Sequence, residues 1–255
     1  MKIALVSDAW TPQTNGVVTT LKQVIAGVEA RGHEVRVFEP GQFFTLPLPA
    51  YREVKVAPLP YGLGRALDGY GFDALHIATE GPLGLAARRW ALRRGVSFTT
   101  SLHTKFPEYL YERTRLPLAL GYGFLRWFHG AAASTLVTTA SQKRELGDWG
   151  LRNLTVWGRG VALDAYPYVP REAPRERPRL LYVGRVAVEK NLPAFLELKV
   201  PGKRWWSETA PPGPSLKRAT PRCAFLATAT APSSQRSTGT RTCLSFPRKR
   251  TPSGW

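Results

Sequence analysis

Cysteine is almost missing from this chain: two occur in 255 residues, Cys223 and Cys243. Their spacing fits neither a metal-ligand pattern nor a disulfide framework, which excludes a stapled secreted scaffold and a structural zinc site. No run approaches 18 apolar residues, so no segment is expected to span a membrane as a helix. The opening MKIALVSDAW has one lysine, a very short apolar run and then Asp8. That is too short and too acidic for a secretory signal, and a cytoplasmic chain is expected. Acidic residues are scarce, 18 against 36 Lys and Arg, for a net charge of +18. The imbalance is uneven. From Lys199 onward 11 Lys and Arg face a single Glu, which accounts for +10, and the preceding residues carry +8. Such a balance raises one alternative, a basic nucleic-acid-binding protein with a Rossmann-like domain and an Arg/Trp tail. No RNA- or DNA-binding motif accompanies the charge, so no nucleic-acid partner is expected. The G-x-G-x-x-G fingerprint is also missing, which disfavours a dinucleotide-dependent oxidoreductase.

What is present is regular patterning over the first 198 residues. KIALVS is a nearly continuous apolar run, as expected of a strand covered on both faces. GVVTTLKQVIAGVEARGHEVRVF reads as a helix, a stop at Gly32 and a second strand. FDALHIA, VSFTTSLH, TLVTTAS and NLTVWGRGV read as further strands. PLGLAARRWALRRG and QKRELGDWG are the helices between them. Strands alternating with helices predict an α/β fold with a doubly wound parallel sheet, whose ligands bind beyond the carboxyl ends of the strands. The proline-rich YVPREAPRERPR reads as a linker, after which RLLYVGRVAVEKNLPAFLEL opens a second strand–loop–helix unit. The expected organisation is a Rossmann-like domain over 1–168, a linker over 169–178, the start of a second Rossmann-like domain over 179–202, and a tail over 203–255.

Three loops hold candidate functional residues. In SDAWTPQTNGVV, Asn15 and Gly16 precede a helix whose first amides can face an anion, though a plain turn explains the glycine equally well. In TTSLHTKF, His103 follows a strand end, where an imidazole can bond a sugar hydroxyl or assist proton transfer, or serve structure alone. In VGRVAVEKN, Arg185 and Lys190 stand five apart at a strand end, a pairing suited to a diphosphate or to a solvated loop. The segment LPLALGYGFLRWFHGAAA, residues 116–133, carries Phe124, Trp127 and Phe128 with Arg126. It reads as a core helix or as a helix docked on an anionic membrane.

SDAWTPQTNGVVTTL, SLHTKF, VWGRGV and LLYVGRVAVEKNL, in this order and spacing, resemble the family 4 retaining glycosyltransferases of the GT-B fold. The likeness is to the branch that glycosylates lipids: sulfoquinovosyl-, mannosyl- and glucosyltransferases. It implies transfer of a sugar from a nucleotide-sugar donor to an acceptor with retention, a lipid acceptor, peripheral contact with the inner face of the membrane, and no cofactor or required metal. By resemblance, Asn15 and Gly16 line the loop near the donor phosphates and the acceptor, and His103 contacts the donor sugar. Arg185 and Lys190 hold the diphosphate and stabilise the leaving group, and Arg159 joins the set. The chain departs from the family in GVALDAY, where the family has an acidic residue directly after GV and this chain has Asp164 three positions later.

From about Gly202 the periodicity stops and Pro, Thr, Ser, Ala and Arg dominate. Taken alone, this composition reads as a disordered basic tail. The codons allow another reading. Joining the last base of each codon to the first two of the next, Arg204 to Pro211 admits VVVGDGP and Ala224 to Thr228 admits FLGY. Ser237 to Trp255 admits YRDADVFVFPSxTDTFGL. These are the motifs with which the family continues. The tail is therefore expected to be an out-of-frame translation of the rest of the second domain, produced by a change of reading frame near Gly202. The literal chain is expected to be inactive.

Overall fold

The computed structural model describes residues 1–13, 15–48, 51–158, 160, 179–183, 191–199, 203–207 and 223–226. The chain divides into two compact units, Met1–Leu163 and Asp164–Trp255.

The first unit runs β1 (Lys2–Val6), α1 (Gly16–Glu29), β2 (Glu34–Phe38), β3 (Leu46–Leu48), β4 (Tyr51–Val56), α2 (Leu63–Tyr70), β5 (Ala74–Ile77), α3 (Pro82–Arg94), β6 (Phe98–Ser101), α4 (Phe106–Thr114), α5 (Leu118–His129), β7 (Ser134–Val137), α6 (Ala140–Asp148) and β8 (Leu154–Val156). The main sheet has six strands in the order β2-β1-β5-β6-β7-β8. All pair in parallel. The predicted α/β class and its strands are found where the apolar runs placed them. The predicted stop at Gly32 is also present, with φ +80°, a conformation that favours glycine.

Strand parity divides the core. Ala4 and Val6 of β1 and Leu75 and Ile77 of β5 point to one face, against Leu63 and Leu67 of α2 and Leu83, Ala87 and Ala91 of α3. Leu5 points to the other face, against Leu21 of α1. A third cluster joins α5 and α6 to the far edge through Leu125, Leu146, Val137 and Leu154. The chain leaves β1 outward to β2, then returns across β1 to β5, so the strand order reverses between β1 and β5. That reversal is the switch point at which ligands bind in such sheets.

Two features escape the periodicity. β3 and β4 form an antiparallel hairpin apart from the main sheet. The 116–133 segment is for the most part the core helix α5. Tyr122, Leu125 and Phe128 are buried, while Leu120 and Trp127 remain 63% and 53% exposed.

The second unit contains β9 (Arg179–Val183), α7 (Leu192–Leu196), β10 (Lys203–Ser207) and β11 (Cys223–Leu226). Its three strands are parallel in the order β11-β10-β9. The expectation that no regular structure follows residue 203 is corrected here by β10 and β11. Both are short runs of β-forming side chains, with Trp205 and Trp206 in one and Phe225 in the other.

Candidate active site

The site grows from β6. Its even positions, Phe98 and Thr100, point into the core, where Thr100 Oγ1 bonds Thr135 Oγ1 at 2.9 Å and His129 Nδ1 at 2.9 Å. His129 is fully buried, and its Nε2 lies 3.1 Å from Glu80 Oε1. The odd positions, Thr99 and Ser101, face the opposite side. There His76 of β5 lies with Nδ1 2.8 Å from Thr99 Oγ1 and Nε2 3.1 Å from Ser101 Oγ. Two residues further on, beyond the carboxyl end of β6, the half-buried His103 places Nε2 2.8 Å from the same Ser101 Oγ. Trp157 meets the His103 ring edge-to-face, with centroids 6.3 Å apart. Burial, and then electrostatic repulsion between the neighbouring His76 and His103 rings, hold the His76 imidazole down to about 4, so His76 is neutral near pH 7. A cavity of about 200 Å³ adjoins His76 and Trp157 and is otherwise walled by aliphatic side chains, among them Leu5, Leu21 and Ile25.

The loop after β1 forms the other side of the crevice. Asp8 ties it to α3: its carboxylate accepts from Leu83 N at 2.8 Å, Gly84 N at 3.2 Å and Thr79 Oγ1 at 2.8 Å. Burial raises the Asp8 carboxyl above its usual range, outweighing those three bonds. Gly84 is required by this closure, since a Cβ there would lie 1.9 Å from the Thr79 carbonyl oxygen. Asn15 is the N-cap of α1. Its Oδ1 accepts from Val17 N and Val18 N at 3.0 Å each, and its Nδ2 donates to Gln13 Oε1 at 3.2 Å. At Gly16 a Cβ would meet nothing within 4 Å, so protein packing does not demand the glycine.

Below His103, Lys105 Nζ donates to both carboxylate oxygens of Glu145 at 2.7 Å, which raises its pKa. Tyr122 donates to Glu108 Oε1 and stacks on Trp149, with centroids 4.2 Å apart and planes 5° from parallel. Burial, then Glu108, push the Tyr122 phenol upward.

Of the residues expected at a site, the structure places Asn15 and Gly16 at the start of α1 and His103 just beyond the carboxyl end of β6. Arg159, Arg185 and Lys190, with Asp164, lie outside the described residues. Among the described residues no group of three His, Cys, Asp or Glu side chains is arranged to hold a metal. Sequence reasoning missed His76, Ser101 and Trp157. A period of two was visible in T-x-S-x-H over 99–103, and it puts all three polar side chains on one side of the strand.

A family model for Glycosyltransferase Family 4 matches residues 14–165. A GDP-mannose-dependent alpha-mannosyltransferase from Mycobacterium tuberculosis is 26% identical over 234 residues, covering 79% of this chain and 60% of that protein. An alpha-monoglucosyldiacylglycerol synthase from Streptococcus pneumoniae is 24% identical over 230 residues, covering 77% of this chain and 51% of that protein. The solved sucrose-phosphate synthase from Thermosynechococcus elongatus superposes with a TM-score of 0.62 at 16% identity, over 89% of this chain and 70% of that one, a likeness of fold. The chain spans 60% or less of the length of these curated relatives. The family match reaches from the loop after β1 to beyond β8, more than half of the residues, and it makes the chain a member of glycosyltransferase family 4.

Proposed function

We propose that the chain derives from a hexosyltransferase that moves a sugar from a nucleotide-sugar donor to an acceptor, with retention at the anomeric carbon. One observation carries this reading: in a family 4 chain, His103 stands at the carboxyl end of β6, held through its ring nitrogen by Ser101. In this mechanism His103 contacts the donor sugar. Asn15 and Gly16 line the loop near the donor phosphates and the acceptor, and the open space at Gly16 supports that role. As the bond from the anomeric carbon to the diphosphate breaks, charge builds on the leaving oxygen. Arg185 and Lys190, with Arg159, meet it electrostatically.

The acceptor is a lipid on this reading, a choice supported by the relative named an alpha-monoglucosyldiacylglycerol synthase. Approach to an anionic membrane surface at its cytoplasmic side runs through residues 116–133, where exposed Leu120 and Trp127 support the contact. No described helix is long and apolar enough to cross a membrane.

The second unit is read as a donor domain that leaves its frame near Gly202. The coherent second-frame motifs and the charge gathered after Lys199 support this, and the literal chain is then inactive. Sequencing the source DNA across codons 195 to 260 tests the frame: a base gained or lost is expected. The transfer itself is tested by the anomeric configuration of the product of the frame-restored protein, read by NMR. An inverted product would contradict retention.

A further inference from the structure

We propose that Ser101 is a positioning residue that fixes the tautomer of His103, so that its Nε2 carries the proton and its Nδ1 is the accepting nitrogen. The importance of that tautomer for transfer rests on the function proposed above; the direction of the hydrogen bonds does not.

Proton counting limits the choices. His76 is neutral, so it has one N–H and one lone pair. Its partners are two hydroxyls, Thr99 Oγ1 at 2.8 Å on Nδ1 and Ser101 Oγ at 3.1 Å on Nε2. A hydroxyl has one proton to donate. Three arrangements satisfy the chain, because the Ser101 hydroxyl has one proton and two lone pairs. In the first, His76 Nδ1–H donates to Thr99, Ser101 donates to His76 Nε2, and Ser101 accepts from His103 Nε2–H. In the second, every donor and acceptor is reversed. In the third, Thr99 donates to His76 Nδ1, and Ser101 accepts from both His76 Nε2–H and His103 Nε2–H while donating to the Ala78 carbonyl.

The surroundings choose between them. In the first direction the Thr99 proton is left for the Leu75 carbonyl at 3.5 Å. The Ala78 carbonyl, 3.4 Å from Ser101 Oγ, competes only for a proton that never goes to His103. In the second direction both hydroxyl protons are consumed by imidazoles and both backbone carbonyls lose these contacts. Each of the other two arrangements keeps one of these carbonyl contacts, so the second direction loses, and both that remain put the proton on His103 Nε2. Ser101 is 1% exposed, so water does not replace its partners. The opposite face of β6 is pinned separately through Thr100 and His129, which keeps the strand from rotating to relieve the chain.

The test is tautomer assignment by two-bond ¹H–¹⁵N correlation NMR on the full-length chain with ¹⁵N-labelled histidine at neutral pH. The four histidines are assigned by single replacement. The expected result is a protonated, pyrrole-type Nε2 and a pyridine-type Nδ1 for His103. Ser101→Ala removes the acceptor and is expected to move the His103 tautomer ratio by about fivefold, the worth of one ordinary hydrogen bond. Ser101→Thr keeps the hydroxyl and restores it. A pyrrole-type Nδ1 on His103 in the unaltered chain overturns the proposal, and so does a ratio unmoved by Ser101→Ala. If a variant does not fold, the spectrum of the unaltered chain alone decides between the two tautomers. No substrate enters the measurement, so the relay can fail while the transferase reading stands, and the reverse.

Discussion

Replacing Asp8 by Ala tests how the switch-point crevice is held together. The Asp8 carboxylate is the shared acceptor for two backbone amides at the start of α3 and for the Thr79 hydroxyl. Truncation leaves Leu83 N and Gly84 N without that acceptor at a helix start. Loss of an N-terminal capping acceptor costs roughly 0.5–2 kcal/mol, and hydrogen bonds to a charged group are worth roughly 1.5–3 kcal/mol each before non-additivity. A total of about 3 kcal/mol is expected, since the three bonds share one side chain. With a urea slope of about 2–3 kcal/mol/M, the unfolding midpoint should fall by about 1–1.5 M.

The pH dependence sharpens the test. Burial raises the Asp8 pKa in the folded chain above its unfolded value. The folded state therefore binds the proton more tightly, and this group adds stability as pH falls through the folded pKa toward the unfolded one. The stability difference between the unaltered chain and the Asp8→Ala variant should be at least as large at about pH 4.5 as at about pH 7. Urea titrations at the two pH values, followed by tryptophan fluorescence, measure it. A difference that shrinks on acidification would refute the claim that desolvation outweighs the three bonds.

Other substitutions probe separate parts of the molecule. Gly84→Ala puts a Cβ against the Thr79 carbonyl, so α3 must shift; a loss of about 3 kcal/mol or more is expected by chemical denaturation. Arg88→Met removes a buried guanidinium that donates to the Phe128 and Trp127 carbonyls at 3.0 and 2.8 Å and lies 3.9 Å from the Trp127 ring centroid. Two charge-assisted bonds at the end of α5 are lost, and a fall of about 2–3 kcal/mol is expected. Asn15→Ala should cost about 1 kcal/mol through the α1 cap, whereas Asn15→Asp should cost little; thermal melts of both distinguish capping from a general loop effect. Leu120→Asp, at a 63% exposed position, should leave the melt unchanged and reduce sedimentation with anionic vesicles at low salt; undiminished binding would count against the 116–133 surface.

The sequence was legible where the covering of a strand is simple. β1, β5 and β7 are short apolar runs between polar loops, and the parallel sheet announces them directly. The β3–β4 hairpin was not legible, because GQFFTLPLPAYREVKVAPLP is broken by prolines and pairs only with itself. α5 was visible as an apolar segment, but its burial was not: the same residues suit a core or a membrane until Leu125 and Phe128 are seen packed inside. His103 was legible from its place after a strand. His76 was not, because one polar residue within ALHI shows nothing until the register sets it beside Thr99. β10 and β11 were missed because two or three β-forming residues carry no periodicity on their own.

The central proposal is that this family 4 chain derives from a hexosyltransferase whose donor domain changes frame near Gly202. Its most direct test compares sugar transfer by the 255-residue chain, the frame-restored protein and the frame-restored His103→Ala variant. Each is assayed with GDP- and UDP-hexoses and diacylglycerol-containing vesicles. Transfer is predicted for the restored protein alone, with at least a roughly hundredfold loss in the His103→Ala variant. Transfer by the 255-residue chain as it stands, or none by the restored protein with any of these donors, would contradict the claim.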